Sequence, residues 1–279
     1  MKESERAFVQ TVRGYYRKHG RHDLPWRSPS LKLWRTKEIL DPYKIAVSEI
    51  MLQQTQVPRV IEKYREFLKS FPNVRVLAQA PLGEVLRMWS GLGYNRRAKF
   101  LHQMAQSVVK DHKGKFPETI EGLQSLPGIG PYTAGAIYAF AYDKPHPVIE
   151  TNIRTVYIHH FFPRREKVTD AELMKVIEKT LDTKKPREWY WALMDYGSYL
   201  KASGIKNNAK SKHYTKQSIF NGSRRQVRGG IMKVLLTDSA TATTIAKKVA
   251  KEKALVQSVL DDLAREGFVV SKKGTYSIV

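Results

Sequence analysis

Apolar residues recur at helical spacing along most of the chain, and short turns containing proline or glycine separate these stretches. They cover residues 8–16, 43–51, 60–67 and 100–109. A period of three to four residues predicts helices that each bury one face. No alternation of strands with helices supports a parallel sheet, and no glycine-rich nucleotide fingerprint follows a predicted strand. We therefore predict an all-α body.

The pattern changes between residues 202 and 230, where serine, glycine, asparagine and basic residues predominate. This composition predicts a linker. Beyond it we predict three short helices and a terminal hairpin, which is the element order of a winged helix. The predicted helices are residues 231–236, 243–250 and 254–266, and the predicted strands are residues 268–271 and 275–279.

A chain of 279 residues exceeds one typical domain. We predict a helical domain over residues 1–220 and a small winged-helix-like α+β domain over residues 221–279. For the second domain, contact with nucleic acid is favoured over a structural or protein-docking role.

The charge balance favours a polyanionic partner. The 49 lysine and arginine residues exceed the 26 aspartate and glutamate residues, which gives a net charge of +23. Basic residues are spread along the whole length and no lipidation signal accompanies them, so nucleic acid is a better candidate than a membrane. A basic protein without such a partner is the open alternative.

Two absences narrow the class of protein. The sequence contains no cysteine, which excludes disulfides, thiolate nucleophiles and cysteine-held zinc or iron–sulfur sites. The N-terminal 20 residues carry charges throughout, and the longest apolar run, near residues 134–142, is too short to span a bilayer. We predict a cytoplasmic protein without a membrane partner.

Residues 126–135, LPGIGPYTAG, predict a helix-hairpin-helix turn. Gly128 and Gly130 flank one apolar residue, and Leu126 and Thr133 lie at either end of the hairpin. A tight turn exposes backbone N–H groups, and the following helix N-terminus adds partial positive charge, so this motif suits a DNA phosphate. A glycine-rich turn without a ligand is the alternative interpretation.

Two glutamates are candidates for proton chemistry. Glu49 shares a helical face with Ile45 and Leu52, so loss of hydration should raise its pKa and suit it to proton donation near neutral pH. Glu150 stands where an extended stretch gives way to a helix that should begin at Thr151. The alternatives are a surface contact for Glu49 and, for Glu150, a role in complementing the helix dipole, with a neighbouring residue as the N-cap.

Five segments, in this order, resemble the MutY-type adenine glycosylases of the helix-hairpin-helix superfamily that includes endonuclease III. They are residues 24–27 (LPWR), 48–57 (SEIMLQQTQV), 91–98 (GLGYNRRA), 115–137 and 194–197 (MDYG). The resemblance implies a two-lobed helical enzyme with DNA in the cleft and the target nucleotide flipped out of the duplex.

The resemblance also implies roles for individual residues. Glu49 falls on the catalytic acid, and Glu150 falls on the position of an aspartate that stabilises the cationic sugar. Tyr132 stands where relatives with lyase activity carry a lysine, which predicts base removal without efficient strand cleavage. Further residues are expected to contact the substrate or the DNA. They are Gln53, Gln54, Tyr94, Arg27 and Arg96, together with Leu126, Gly128, Gly130 and Thr133 of the hairpin.

The chain departs from the family in three places. Glu150 is one methylene longer than the usual aspartate. The segment after Tyr199 lacks the four cysteines of an iron–sulfur cluster, so we expect no cofactor and a loop near residues 201–212 that packing or charge must hold. A winged-helix-like tail replaces the domain that inspects the base opposite adenine.

The leading hypothesis is a monomeric, monofunctional glycosylase that removes adenine mispaired with guanine or 8-oxoguanine from double-stranded DNA. Removal of thymine or uracil mispaired with guanine is an alternative, because relatives with that activity share the scaffold. A non-catalytic DNA-binding protein is another, although the retention of acids at positions 49 and 150 argues against it.

Overall fold

A computed structural model describes residues 2–27, 39–212, 214 and 219–279 of the chain. Helices dominate this described part, and the only sheet found in it is a small one near the C-terminus, which confirms the predicted all-α body. The helices up to residue 202 are α1 (Glu3–His19), α2 (Pro42–Leu52), α3 (Val57–Ser70), α4 (Val74–Gln79), α5 (Leu82–Trp89), α6 (Arg96–Asp111), α7 (Ile120–Gln124), α8 (Pro131–Tyr142), α9 (Thr151–Phe161), α10 (Asp170–Thr180) and α11 (Pro186–Ala202).

These eleven helices form two lobes. In one lobe α11 packs against α1 and α9, and α10 packs on α9. In the other lobe α4 and α5 pack on α6, and α3 packs on α2 and α5. Helix α8 contacts α2 and α7 on one side and α11 on the other, so it joins the lobes. None of the helices in the described ranges is both long enough and apolar enough to cross a lipid bilayer.

Helix α1 shows how the apolar spacing of the sequence becomes a buried face. Phe8, Val12 and Tyr16 lie one turn apart, and all three are buried. The Phe8 ring packs with its centroid 5.1 Å from that of Tyr157 and 5.9 Å from that of Trp189. Burial of aromatic side chains contributes strongly to stability, so this contact fixes the N-terminal helix on α9 and α11.

The C-terminal unit has the predicted winged-helix-like order. Its strands form an antiparallel sheet in the order β1-β3-β2, in which Tyr276 pairs with Ala240 on one side and Ser271 on the other. Its elements are α12 (Arg224–Thr237), β1 (Ala240–Thr241), α13 (Ala242–Val249), α14 (Lys253–Arg265), β2 (Val269–Lys272) and β3 (Thr275–Ile278).

The structure differs from the predictions for this region in two ways. The predicted linker ends early, because α12 begins at Arg224 instead of residue 231. The Ser223 hydroxyl caps the helix by accepting a hydrogen bond from the Gln226 N–H, and Val227 is buried one turn before Ile231. Strand β1 was not predicted at all, since two residues are too short to show an alternating pattern.

The C-terminal unit docks on α6 through residues at and just after the C-terminal end of α14. The Glu266 carboxylate accepts two hydrogen bonds from Arg96, at 2.8 and 2.7 Å, and two from Arg228, at 2.8 and 2.6 Å. These bonds, those from Arg96 above all, lower the pKa of Glu266 to about 2. The ammonium group of Lys99 lies 5.3 Å from the centroid of the buried Phe268 ring. The two parts of the chain therefore meet in a charged and aromatic contact.

Candidate active site

Glu49 is a buried carboxylate near the end of α2. Its residue is only 6% exposed. The Tyr132 hydroxyl on α8 donates a hydrogen bond of 2.9 Å to its Oε2 atom. Burial raises the pKa of Glu49 to about 7, against the opposing effect of that hydrogen bond. The desolvation expected from the apolar face of α2 is thus present, and the group can hold or release a proton near neutral pH.

The Tyr132 hydroxyl stays protonated and donates its hydrogen bond to Glu49. Burial raises the pKa of its phenol well above the usual value, and the neighbouring carboxylates Glu49 and Glu150 raise it further. The next residue, Thr133, accepts a hydrogen bond of 3.5 Å from the Gln53 amide at the end of α2. Contacts at two successive residues therefore hold the start of α8 against the end of α2.

Glu150 is the N-cap of α9. Its Oε1 atom accepts hydrogen bonds from the backbone N–H groups of Asn152, at 2.7 Å, and Ile153, at 2.8 Å. The expected helix start at Thr151 is confirmed, but Glu150 itself is the cap, where the sequence suggested a neighbouring residue. Burial raises the pKa of Glu150, and the two backbone N–H groups oppose that rise. Its negative charge also contributes to the raised pKa of Glu49.

A close approach of the segment before α9 to helix α8 brings the two glutamates together. The Tyr190 hydroxyl donates to the His146 carbonyl, at 2.7 Å, and accepts from the Val148 N–H, at 3.1 Å. Val148 then lies against Gly135, where an added Cβ atom would stand 2.2 Å from its Cγ1 atom. Only glycine leaves that space on α8. The segment that ends at Glu150 therefore packs against α8 at Gly135, which lies about one helical turn after Tyr132.

Arg97 clamps the end of α2, and sequence reasoning named its neighbour Arg96 instead. The buried Arg97 guanidinium donates to the carbonyls of Ile50 and Met51, both at 2.9 Å, and of Gln53, at 2.5 Å. These carbonyls lie at the end of the helix, where intrahelical donors run out. The motif RRA contains the residue, but nothing in the spacing shows which arginine points inward.

Comparison with known proteins places this geometry in a family. Residues 47–179 match the model of the HhH-GPD superfamily of base excision DNA repair proteins. The adenine DNA glycosylase of Mycolicibacterium smegmatis is 32% identical over 275 residues, which cover 90% of this chain and 89% of that protein. The chain belongs to the HhH-GPD superfamily. The resemblance to adenine DNA glycosylases predicted from sequence is thereby confirmed.

Other similar proteins agree with the HhH-GPD assignment. The adenine DNA glycosylase of Buchnera aphidicola subsp. Baizongia pistaciae is 36% identical over 205 residues, 73% of this chain and 55% of that protein. The chain thus spans about half the length of that relative. A solved structure of a thermostable thymine-DNA glycosylase superposes with a TM-score of 0.60 at 24% identity, covering 76% of this chain and 97% of that one. At that identity the likeness concerns the fold alone.

The hairpin that gives the HhH-GPD superfamily part of its name lies directly before α8. Gly128 adopts a φ of +76°, and an added Cβ atom there would stand 2.5 Å from the Cβ atom of Phe100 on α6. Gly130 is the N-cap of α8. The Leu126 side chain is buried, so it anchors the hairpin. The turn is therefore held between α6 and α8.

Two arginines expected to contact DNA have protein partners in the structure. Arg27 is buried, and its Nη1 atom donates to Asp195 at 2.8 Å. Arg96 pairs with Glu266 of the C-terminal unit. Neither partner is visible in the sequence, because each lies about 170 residues away.

Gln54 and Tyr94 both lie at backbone turns beside the site. Gln54 adopts a φ of 56° and Tyr94 a φ of 49°, which are uncommon left-handed conformations for residues other than glycine. The Tyr94 residue is 42% exposed. Strained backbone of this kind persists only where surrounding contacts hold it, so the structure around both turns fixes their backbone conformation.

The segment after Tyr199 does not fit a cysteine-bound cluster. The chain has no cysteine, and the described residues contain no group of three or more histidine or acidic side chains able to hold a metal. Main-chain contacts hold this segment. Val168 donates to the Lys210 carbonyl at 2.9 Å and accepts from the Lys212 N–H at 3.0 Å, while the Lys210 ammonium donates to the Pro163 carbonyl at 2.9 Å.

Proposed function

We propose that this HhH-GPD protein is a monofunctional DNA glycosylase that hydrolyses the N-glycosidic bond of adenine mispaired with guanine or 8-oxoguanine. One observation carries the proposal: the buried Glu49, bonded to Tyr132, is near enough to a second carboxylate, Glu150, for that charge to raise the pKa of Glu49, and a helix N-terminus fixes Glu150. The two glutamates are the proposed catalytic residues.

The proposed reaction gives each glutamate a separate task. Breaking the bond between the base and C1′ leaves negative charge on the purine and positive charge on the sugar. Glu49 donates its proton to a ring nitrogen of the departing adenine, and the ionised Glu150 stabilises the cationic sugar until water adds to C1′. The proton released by that water restores Glu49. General acid catalysis is typically worth about 100- to 10,000-fold in rate.

Tyr132 supports base removal without strand cleavage. Strand cleavage by a glycosylase with lyase activity passes through an imine between an amine and C1′, and a phenol cannot form that imine. The Tyr132 hydroxyl is already engaged by Glu49. We therefore propose an intact abasic site as the product.

Double-stranded DNA is the proposed partner, and a monomer is the proposed active form. The net charge of +23 favours a polyanion. Backbone N–H groups between Gly128 and Gly130 and the N-terminus of α8 are suited to a phosphate, and Gln53, Gln54 and Thr133 are proposed to line the pocket. We propose that residues 1–220 carry the activity, that residues 221–279 form a second DNA-contacting domain, and that no iron–sulfur cluster takes part. Such a protein would act on chromosomal DNA in the cytoplasm.

Adenine is favoured over thymine or uracil as the target base. The relatives that match at 32 to 43% identity are adenine DNA glycosylases, whereas the thymine-DNA glycosylase resembles this chain only in its fold. The adenine assignment therefore depends on sequence likeness along the segments that carry Glu49 and Tyr132.

The test is base release from a panel of labelled duplexes containing adenine opposite 8-oxoguanine, adenine opposite guanine, thymine opposite guanine and uracil opposite guanine. Each reaction is divided, and only one half receives alkali. We expect alkali-dependent cleavage at adenine alone, and none with Glu49→Gln. Release confined to thymine or uracil would replace the adenine proposal, and cleavage without alkali would disprove the monofunctional one. No release from any duplex would favour a DNA-binding protein.

A further inference from the structure

A residue of the C-terminal unit reaches the edge of the candidate active site. Arg225 lies in the first turn of α12, and its Nη1 atom donates a hydrogen bond of 3.0 Å to the Tyr94 hydroxyl. Tyr94 belongs to the turn between α5 and α6, 131 residues earlier in the chain. This contact therefore adds the exposed Tyr94 side chain to the contacts between the small domain and the glycosylase domain.

The Tyr94 ring has a fixed place relative to Glu49. Beneath the turn, the Arg97 guanidinium donates to the carbonyls of Leu92, at 2.9 Å, and Gly93, at 3.1 Å, in addition to the carbonyls at the end of α2. Its central carbon lies 5.6 Å from the centroid of the Tyr94 ring. One buried cation thus ties the turn that bears Tyr94 to the helix that bears Glu49.

The docking of the C-terminal unit fixes Arg225 in the same way. Glu266 joins Arg228, which is one turn further along α12, to Arg96 at the start of α6. Farther along α12, the Leu236 carbonyl accepts a hydrogen bond of 3.3 Å from Arg87 on α5. Contacts at two levels of α12 therefore orient its first turn toward Tyr94.

We propose that Arg225 and Tyr94 form a reading edge that recognises the guanine opposite the extruded adenine, with Arg225 as the specificity-determining residue. This proposal rests on the proposed function. Once the target nucleotide leaves the duplex, its partner keeps no pairing contacts. An arginine fork fits the O6 and N7 acceptors of guanine, and an exposed aromatic ring offers a surface on which a base can stack. The Tyr94 hydroxyl positions the guanidinium for this contact.

The two glutamates and the reading edge serve different bases. Glu49 is buried and Tyr132 is partly buried between α2 and α8, where a base must leave the stack to reach them. Tyr94 lies in the turn between α5 and α6, and the residue is 42% exposed. That position suits a base that stays in the duplex.

The experiment is a double-mutant cycle in binding affinity, in which one change is made in a protein side chain and the other in one atom of the opposite base. Duplexes carry a hydrolysis-resistant 2′-fluoro adenosine opposite guanine, 7-deazaguanine or an abasic site. Dissociation constants are measured for the full-length protein and for Arg225→Ala and Arg225→Lys. Arg224→Ala is the matched control, because Arg224 bonds to Ser258 and Asp262 on α14. Thermal unfolding verifies that each variant is folded.

For the unaltered protein and Arg224→Ala we expect 7-deazaguanine to weaken binding about tenfold. For Arg225→Ala the same change of base should have no effect, because the contact with N7 is already lost. For Arg225→Lys the effect should be smaller than in the unaltered protein, because an ammonium group can still donate to N7 but lacks the planar fork of arginine. Tyr94→Phe should reduce the tenfold effect while retaining the stacking surface.

Two results would overturn the proposal. The first is an equal effect of 7-deazaguanine in the unaltered protein and in both Arg225 variants. The second is a loss of affinity in Arg225→Ala that is the same for guanine and for the abasic site, since it would make Arg225 a phosphate contact. Because binding needs no base release, a failure of the proposed enzymatic activity would be seen separately in the panel of mismatched duplexes.

Discussion

Replacing Glu49 with glutamine should stabilise the folded protein at high pH while it removes activity. The folded state raises the pKa of Glu49 from 4.5 to about 7. It therefore binds this proton more tightly than the unfolded state does. The stabilising effect of the proton is fully present below pH 4.5 and is lost as the pH rises through about 7, so above that pH the folded protein carries an ionised, desolvated carboxylate.

The size of the effect follows from the shift. One pKa unit corresponds to about 1.36 kcal/mol, so a rise from 4.5 to about 7 amounts to about 3 kcal/mol. Glutamine has nearly the same shape as protonated glutamate, and its carbonyl can accept the Tyr132 hydrogen bond. The variant should therefore gain up to about 3 kcal/mol in unfolding free energy at pH 8.5 and almost nothing at pH 4.5.

Urea unfolding of both proteins at these two pH values measures the gain, with Glu62→Gln on the exposed face of α3 as the control. The control should change stability by a similar small amount at both pH values. If the gain of Glu49→Gln were equal at both, or if the variant were less stable at pH 8.5, the carboxylate would not be desolvated. Loss of turnover together with a gain in stability is typical of a strained catalytic group.

Three other changes have predicted outcomes. Tyr132→Phe removes a bond that lowers the pKa of Glu49, so the high-pH limb of the single-turnover rate should move up by about one pH unit; an unmoved or lowered limb would contradict the acid role. Glu266→Gln removes the charge shared by two arginines, so amide hydrogens of α14 should exchange faster, and unchanged exchange would show that the docking does not need this ion pair. Gly128→Ala should cost more than about 1–2 kcal/mol in urea unfolding, because the positive φ alone costs that much and the added Cβ atom would also clash with Phe100. Gly130→Ala, where an added methyl group meets nothing within 4 Å, should cost less, and equal losses would refute this reasoning.

Local patterns predicted the helices, because burial on one face repeats along each helix. Helix α1 illustrates this, with Phe8, Val12 and Tyr16 at four-residue spacing. Helix α12 was located only in part, since Gly229 and Gly230 interrupt its apolar spacing and resemble a linker. The N-terminus of α12 is set by one hydrogen bond to the Ser223 hydroxyl, and the amino-acid composition of the segment does not show such a bond.

The candidate site was predictable in its two acids but not in its supports. Glu49 follows from its apolar helical face, and Glu150 from its place at a junction between elements. Arg27 and Arg96 were expected to contact DNA, yet each is held by an acid far away in the sequence. Whether an arginine side chain points into the protein or toward solvent depends on such distant partners. For the same reason the sequence could not show that Arg97 is the inward one.

The surroundings of the two glutamates affect their pKa values differently, and this difference supports the separate roles proposed for them. Burial raises the pKa of both groups. At Glu150 two backbone N–H groups at the start of α9 and the charges of Lys201 and Arg154 oppose that rise. At Glu49 one phenol opposes it, and the charge of Glu150 adds to it. In the proposed reaction the proton therefore stays on Glu49, which would present a neutral acid to the base, while Glu150 would present an anion to the sugar.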